Sequence, residues 1–354
     1  MRYSILTLNE SEQWNSFIDK LPVEQQDIYF TPEYYSLYQN LGDGIAECFI
    51  FEKDGEIALF PYLINSINSL GYKLEKEYFD IQGAYGYNGV VSSCYDKSFI
   101  DSYFKTFNQY AKNRRIVVEF TRFHPVLKNH LFSCNHNTIS FNRKTVFLNL
   151  SNDPLFHFRL FQTSTKKQIK RAQNRYNLTV DVAEKISSSH LSYFLNIYHE
   201  SMRRINTSDY LYFNEDYFKQ ILNLKSSVLL TAYSEQNPIA AIIVLKYKNY
   251  LHGHLGGTST EYISMHPFSL LYYQMVNYGV KNGFKILHVG GGNSGDLNDT
   301  LLNFKMNFSN TLMDFYTGKS IYDQTVYDQI VKEWSDKYPE KVEMYAKQTL
   351  KYRY

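Results

Sequence analysis

The sequence is poor in most of the features that assign a protein quickly. Its three cysteines, Cys48, Cys94 and Cys134, stand far apart and form no C-x-x-C pair. That argues against a disulfide scaffold and a cysteine-bound zinc, and fits a reducing compartment. No run of roughly 18 apolar residues occurs, so no helix is expected to cross a membrane. The opening "MRYSILTLNESEQW" lacks the apolar core of a secretory signal. An excess of one charge is missing too: the net charge is +2, so attraction to nucleic acid or anionic lipid has to come from a local patch. No G-x-S-x-G elbow and no Cys/His nucleophile motif appears, and nothing points to a covalent intermediate. His252, His254 and His288 come without cysteines or H-E-x-x-H, so no metal is expected. The expected location is the cytoplasm, with peripheral contact at the inner face of the membrane left open.

What is present is enough chain for two cores. At 354 residues, with 44% hydrophobic and 20% charged, the expectation is a two-domain globular protein. The aromatic excess, 33 Tyr and 25 Phe, suits either cores or grooves. In the second half, "SSVLLTAYSE" (226–235), "IAAIIVLKY" (239–247) and "YLHGHLGG" (250–257) read as strands. "HPFSLLYYQMVNYGVKNG" (266–283) reads as a helix with Pro267 at its start, and "FKILHV" (284–289) as a buried strand. A short helix in "NDTLLNFKMNF" and a strand "TLMDFYTG" (311–318) follow. The first half repeats the order. "IAECFIFE" (45–52) and "EIALFPYLI" (56–64) flank the hairpin signal Asp54-Gly55, and "EYFDIQ" (77–82) is a third strand. A helix over 96–113 and strands at 115–123 and 144–150 complete it. The fold class is α/β (α+β): two tandem units, each a mixed, mostly antiparallel sheet with flanking helices. The expected domains are 1–150, with a C-terminal helical segment 320–354 packing back on it, and 151–319.

Within "HVGGGNSGDLNDTLLNFKMNF" (288–308), Gly290, Gly292 and Gly295 spell G-x-G-x-x-G, with Asp314 downstream. A dinucleotide fingerprint needs that turn early in a βαβαβ unit. Here too little chain follows, and Asp314 lies inside a strand-like run. The turn is better read as one where Gly291 and Gly292 let a ligand approach the backbone. On the helix after it, Leu301, Phe304 and Phe308 share a face, and Lys305 falls within that face. A lysine aimed inward is costly unless it meets an anion or loses its proton. The alternative is a stem that runs along the surface to bring its ammonium to water.

The element order resembles the GNAT acyltransferase fold, in which the strands on either side of the central helix diverge and receive the donor. Two such units, with an F-K-x-x-F helix and an F-Y-x-G-K strand end in "LLNFKMNFSNTLMDFYTGKSIYD" (301–323), resemble the FemABX-like transferases of peptidoglycan bridges and polysaccharide clusters. The resemblance implies the transfer-step lysine for Lys305. It covers most of the chain. "FDIQGAYGYNGV" (79–90) offers Asp80, Tyr85 and Tyr87 to a groove, and "VVEFTRFHP" (117–125) offers Glu119, Arg122 and His124, with Glu119 and Arg122 equally able to pair with each other. "YHESMRRINTSDYLYF" (198–213) offers Arg203 and Arg204 to phosphate. "TSTKKQIKRAQNRY" (163–176) is a basic helix whose Lys170 and Arg171 are candidates for tRNA phosphates, a lipid pyrophosphate or a membrane surface; a plain solvated face is the alternative. His254 is added to the substrate side. Glu119 and Asp80 are weak candidates for a general base.

The expected activity is therefore transfer of an acyl or aminoacyl group to an amine of a cell-envelope sugar nucleotide or a lipid-linked saccharide or peptidoglycan precursor, by direct attack. The alternative is a non-catalytic protein that binds such precursors. No tightly bound cofactor is expected. The co-substrate is acyl-CoA or aminoacyl-tRNA, and the Q/R-x-x-G-x-G/A pyrophosphate motif is absent from "GGTSTEYISMHPFS", which puts coenzyme A in doubt.

Overall fold

In the computed structural model, which describes residues 2–151, 153–206 and 211–354, the period-2 runs form strands and the period-3.6 runs form helices. The first part of the chain gives β1 (Arg2–Thr7), α1 (Ser11–Asp19), α2 (Pro32–Leu41), β2 (Ile45–Lys53), β3 (Glu56–Ser66), β4 (Phe79–Gln82), β5 (Val91–Ser92), α3 (Lys97–Asn113), β6 (Ile116–Arg122), α4 (His130–Ser133) and β7 (Thr138–Asn149). There follow α5 (Pro154–Leu160), α6 (Thr163–Asn174), β8 (Thr179–Ala183), α7 (Ser188–Ile205), α8 (Glu215–Asn223), β9 (Ser227–Ser234), β10 (Asn237–Tyr247), β11 (Tyr250–Thr258), α9 (Pro267–Lys281), β12 (Ile286–Gly291), α10 (Thr300–Met306), β13 (Leu312–Ile321) and α11 (Gln324–Lys337). Local chemistry sets the ends. Asp54 and Gly55 make the tight β2–β3 turn, Asp96 accepts from Phe99 N at 2.9 Å to start α3, and Pro267 opens α9 where its missing N–H costs nothing.

The chain divides into two units: the residues up to Asn142 together with Phe315–Tyr354, and Arg143–Asp314. In the first, the sheet order is β1-β2-β3-β4-β6-β13, with β5 beside β3. All pairs are antiparallel except β4 with β6. In the second, the order is β7-β12-β11-β10-β9-β8, and only β11 with β12 is parallel. Both units thus run hairpin, strand, helix, parallel strand, as tandem GNAT-like units do.

The unit boundaries differ from the expected 150 and 319. β7 and β13 each run through a boundary. Thr145–Asn149 of β7 pair with β12 in the second unit, and Thr317–Ile321 of β13 pair with β6 in the first. Each unit completes its sheet with a strand that follows the other unit's parallel strand in the chain. Hydrophobic pattern fixes which face of a strand is buried but not which neighbour it joins, so the exchange is invisible in the sequence.

The aromatic surplus fills the first core. Phe99, Tyr103, Phe107 and Tyr110 of α3 pack on Phe49, Phe51, Phe60 and Tyr62. On the other side, Val117 and Val118 meet Val326, Ile330 and Trp334 of α11 and Tyr352 of the tail. In the second unit, Leu270, Leu271, Met275 and Val276 of α9 cover Val228, Leu230, Ile242, Val244 and Leu251.

Asp80 anchors the tail, which corrects its assignment to a groove or a proton-transfer role. Its side chain is 0% exposed. It accepts from Arg353 Nε and Nη2, both at 2.8 Å, and from Tyr352 OH at 2.7 Å. Burial raises its pKa, and Arg353 and Tyr352 pull it back only in part. Arg353→Leu should therefore cost about 3–5 kcal/mol in urea denaturation, the usual result of orphaning a buried charge. Lowering the pH should shrink that loss, because the unpaired carboxyl can then fold neutral.

Candidate functional site

β11 and β12 pair only from Tyr250–His252 to Ile286–His288. Beyond that register β11 continues to Thr258 through a bulge opposite Ile242–Val244, and β12 shifts register between His288 and Gly290. The strands part there. The corresponding place in the first unit is laced shut. After Gln82 the chain returns at Asn88, whose N–H donates to Arg122 O at 2.7 Å and whose Oδ1 accepts from Arg122 N at 2.8 Å. Asn129 Nδ2 donates to Asn88 O at 2.9 Å.

Lys305 points inward at the end of β12. It is 9% exposed, and its Nζ donates to Gly291 O at 2.6 Å. Burial brings its pKa down to about 7; Asp299 opposes the shift and Arg143 adds to it. A surface-running stem is therefore not its arrangement. Gly290 has φ 75, and a Cβ there would sit 3.3 Å from Lys305 Nζ, so a glycine both allows the backbone and leaves space beside the ammonium.

The loop before α10 is held by the protein's own groups. Asp299 Oδ2 accepts from Asn293 N at 2.9 Å and Ser294 N at 3.0 Å. Its Oδ1 caps α10 through Leu301 N at 2.9 Å and Leu302 N at 3.0 Å. Burial works against that carboxylate, and the amides of Leu302, Ser294 and Asn293 outweigh it, so it titrates below its usual range. A Cβ at Gly292 would lie 2.4 Å from Asp299 Oδ1. Arg143 Nη1 donates to Gly292 O at 2.7 Å. The loop amides that a phosphate cradle would use already bind a carboxylate, and Asp314 pairs with Lys144. The G-x-G-x-x-G turn is a scaffold for Lys305. Sequence reasoning missed Arg143 and Asp299; an Asp placed before the apolar face of α10 was the available signal.

The other second-unit candidates have partners of their own. Arg204, from the end of α7, donates to Thr258 O at 2.7 Å, Thr260 Oγ1 at 3.2 Å and Ser201 Oγ at 2.8 Å. Its fork fixes the end of β11, so it is a positioning residue in place of the expected phosphate grip. Arg203 is exposed, and residues 207–210 of the quoted stretch lie outside those described. His254 on β11 shares a 3.0 Å hydrogen bond with Tyr217 OH of α8. Burial, with His252 nearby, lowers its pKa to about 3, so it is neutral. His252 and His288 are register partners with rings 5.7 Å apart. Lys170 and Arg171 are exposed on α6. α6 is tied to the first turn of α9 by Ser269 Oγ donating to Gln168 Oε1 at 2.9 Å. Burial, and then the charge of Arg171, lowers the pKa of His266 just before α9.

In the first unit, Tyr87 and His124 come together, with ring centroids 5.1 Å apart. His124 Nδ1 accepts from Leu127 N at 3.2 Å, and Nε2 lies 3.5 Å from the buried Asp27. Tyr85 contributes its carbonyl to Tyr34 OH at 2.6 Å. Glu119 does not pair with Arg122. Its carboxylate accepts from Thr121 Oγ1 at 2.6 Å, Asn137 Nδ2 at 3.0 Å and Tyr322 OH. Burial raises its pKa against those three bonds. With both oxygens engaged in a core network, it is no general base. Arg122 instead lies 5.5 Å over the Phe120 ring.

Comparison of the sequence with curated proteins returns no match. Among solved structures, FemX superposes with a TM-score of 0.69 at 12% identity, over 93% of this chain and 99% of that one. L-PGS from Bacillus licheniformis gives 0.56 at 14%, over 91% and 95%. A tandem GNAT protein from the clavulanic acid biosynthesis pathway gives 0.52 at 7%, over 91% and 98%. At such identities the likeness is one of fold, and it agrees with the strand order of both units. A family model described as FemAB-like, peptidoglycan biosynthesis/recognition, matches residues 136–349. That span takes in the parting strands, the Asp299 loop and Lys305, and it exceeds half of the sequence: the chain belongs to the FemAB-like family of peptidoglycan biosynthesis/recognition.

Proposed function

We propose that the second unit transfers an acyl or aminoacyl group to an amine of a cell-envelope precursor, a sugar nucleotide or a lipid-linked saccharide or peptide. The observation that carries this reading is the desolvated Lys305 ammonium beside the parting of β11 and β12. The amine nitrogen attacks the donor carbonyl carbon and the new C–N bond forms. The carbonyl oxygen takes up negative charge as the C–O or C–S bond to the donor weakens. Lys305 commits one N–H to Gly291 O, and in this reading its remaining N–H groups meet that oxyanion. The leaving oxygen or sulfur departs with the bonding pair, and the amine proton passes to it or to water. Asp80 and Glu119 take no part. Lys170 and Arg171, exposed on α6, would hold donor or acceptor phosphates.

The family and its structural neighbours support a transferase of this kind. FemX, L-PGS of Bacillus licheniformis and a tandem GNAT protein of clavulanic acid biosynthesis share the fold, and acyl-CoA and aminoacyl-tRNA are the two donor classes to be told apart. The purified chain discriminates them: charged tRNA should bind with steep salt dependence, or a coenzyme A thioester should raise the melting temperature. Transfer with neither donor, where the chain still binds the acceptor, would mean a precursor-binding protein.

With the active donor, Lys305→Ala should lower kcat by about 10²–10³. The wild type should also lose kcat/KM as pH rises through about 7, where the ammonium deprotonates, and this limb should vanish in the variant. A variant that folds and transfers at the wild-type rate would remove the proposed role. Stability should move the other way. A lysine whose folded pKa is depressed binds fewer protons than the unfolded chain, so wild-type stability rises with pH from about 7 towards 10.5. Lys305→Met should flatten that slope in pH-resolved urea melts. It should gain about 2 kcal/mol at neutral pH, once the lost hydrogen bond to Gly291 is set against the relieved desolvation.

A further inference from the structure

The segment between Asp153 and Asp181 contains no acidic residue, although acids make up 35 of the 354 residues. It carries Arg159, Lys166, Lys167, Lys170, Arg171 and Arg175. The fold sets this composition on two successive helices that both pack on α9, leaving their other sides outward. α5 buries His157 and packs Phe158 against Tyr273, with centroids 5.2 Å apart. Its opposite stripe, at i, i+1, i+4 and i+5 spacing, is therefore Leu155, Phe156, Arg159 and Leu160. Leu155 is 56% exposed, Phe156 46% and Leu160 61%. α6 follows at once and is fixed to α5 by Lys166 Nζ donating to Arg159 O at 3.0 Å. α6 buries Thr165, Ile169 and Ala172 and turns Lys167, Lys170, Arg171 and Arg175 outward.

Three large apolar side chains on one short helix gain nothing from water, and among the described residues none covers them. Cations without counter-charges beside them exclude an acid-free apolar partner and call for an anionic one. A polyanion such as RNA would satisfy the cations and leave Leu155, Phe156 and Leu160 in water. A bilayer with acidic headgroups satisfies both at once, because hydrocarbon lies about 5–10 Å beneath the phosphates. We propose that this face docks on an anionic membrane surface: Leu155, Phe156 and Leu160 enter the acyl-chain boundary, while Arg159, Lys167 and Arg175 meet lipid phosphates. The attachment is peripheral and does not depend on the transfer reaction, so it stands or falls separately from the reading of Lys305.

The test is cosedimentation of the full chain with phosphatidylcholine vesicles, with and without about 30 mol% phosphatidylglycerol. The wild type should pellet with the anionic vesicles and stay in solution with the neutral ones. Leu155→Ser/Phe156→Ser/Leu160→Ser should lose at least about tenfold in partition coefficient, and Lys167→Gln/Arg175→Gln a similar factor together with most of the salt dependence. Phe156→Trp covers the case in which a multiple variant misfolds. Its emission should shift to the blue with anionic vesicles only, since Trp14 and Trp334 are both buried. Wild-type protein that stays in the supernatant, a serine variant that pellets as well as wild type, or an unshifted tryptophan would each overturn the proposal. So would a face that binds tRNA equally in the wild type and the serine variant while ignoring vesicles.

Discussion

A single hydrogen bond organises the candidate site: the Lys305 ammonium, taken out of water, donates to the carbonyl of Gly291. Burying that charge costs more than one carbonyl returns, and burial drags the pKa down accordingly. The surroundings follow from it. Position 290 has to be a glycine, because a side chain would both strain the backbone and press on the ammonium. Asp299 supplies the nearest opposing charge and gathers the loop amides. Arg143 steadies the next carbonyl and at the same time pushes the lysine towards neutrality. Burial thus brings the group towards the neutral form near physiological pH.

The two units share an order of elements and use it differently. In the second, the pairing of the parallel strands ends at His252 and His288, and Lys305 lies buried against Gly291 just beyond. In the first, Asn88 and Asn129 lace the corresponding strands together, and the buried carboxylate of β4 holds Arg353 of the tail. One copy of the architecture spends its buried charge on an internal ion pair. The other keeps a buried cation whose hydrogen bond goes to a backbone carbonyl.

Much of this could be read from the residues. Short apolar and alternating runs located β9–β12, Asp54-Gly55 located the β2–β3 hairpin and Pro267 the start of α9; the apolar spacing around Lys305 left an inward and a surface-running side chain open, and the structure has it buried. The resemblance to FemABX-like transferases agreed with the family match. What stayed hidden shares one cause: it depends on partners far along the chain. Asp80 looks like a groove acid until Arg353 reaches it from 273 positions away. Glu119 and Arg122 look like a pair until Asn137, Thr121 and Tyr322 claim the carboxylate. Arg204 looks like a phosphate ligand until the carbonyl of Thr258 occupies its fork. Periodicity gives a side chain's direction, and only the fold gives what it meets.

The exchanged strands carry a consequence for how the protein is made. The first unit's sheet closes with β13, which leaves the ribosome only after the whole of the second unit has been synthesised. Until then the nascent first unit exposes the hydrogen-bonding edge of β6, a site open to misplaced pairing. The second unit, contiguous from Arg143 to Asp314, is finished before the first despite its later place in the message. Cutting the gene after position 142 would therefore leave the first unit's sheet without its closing strand.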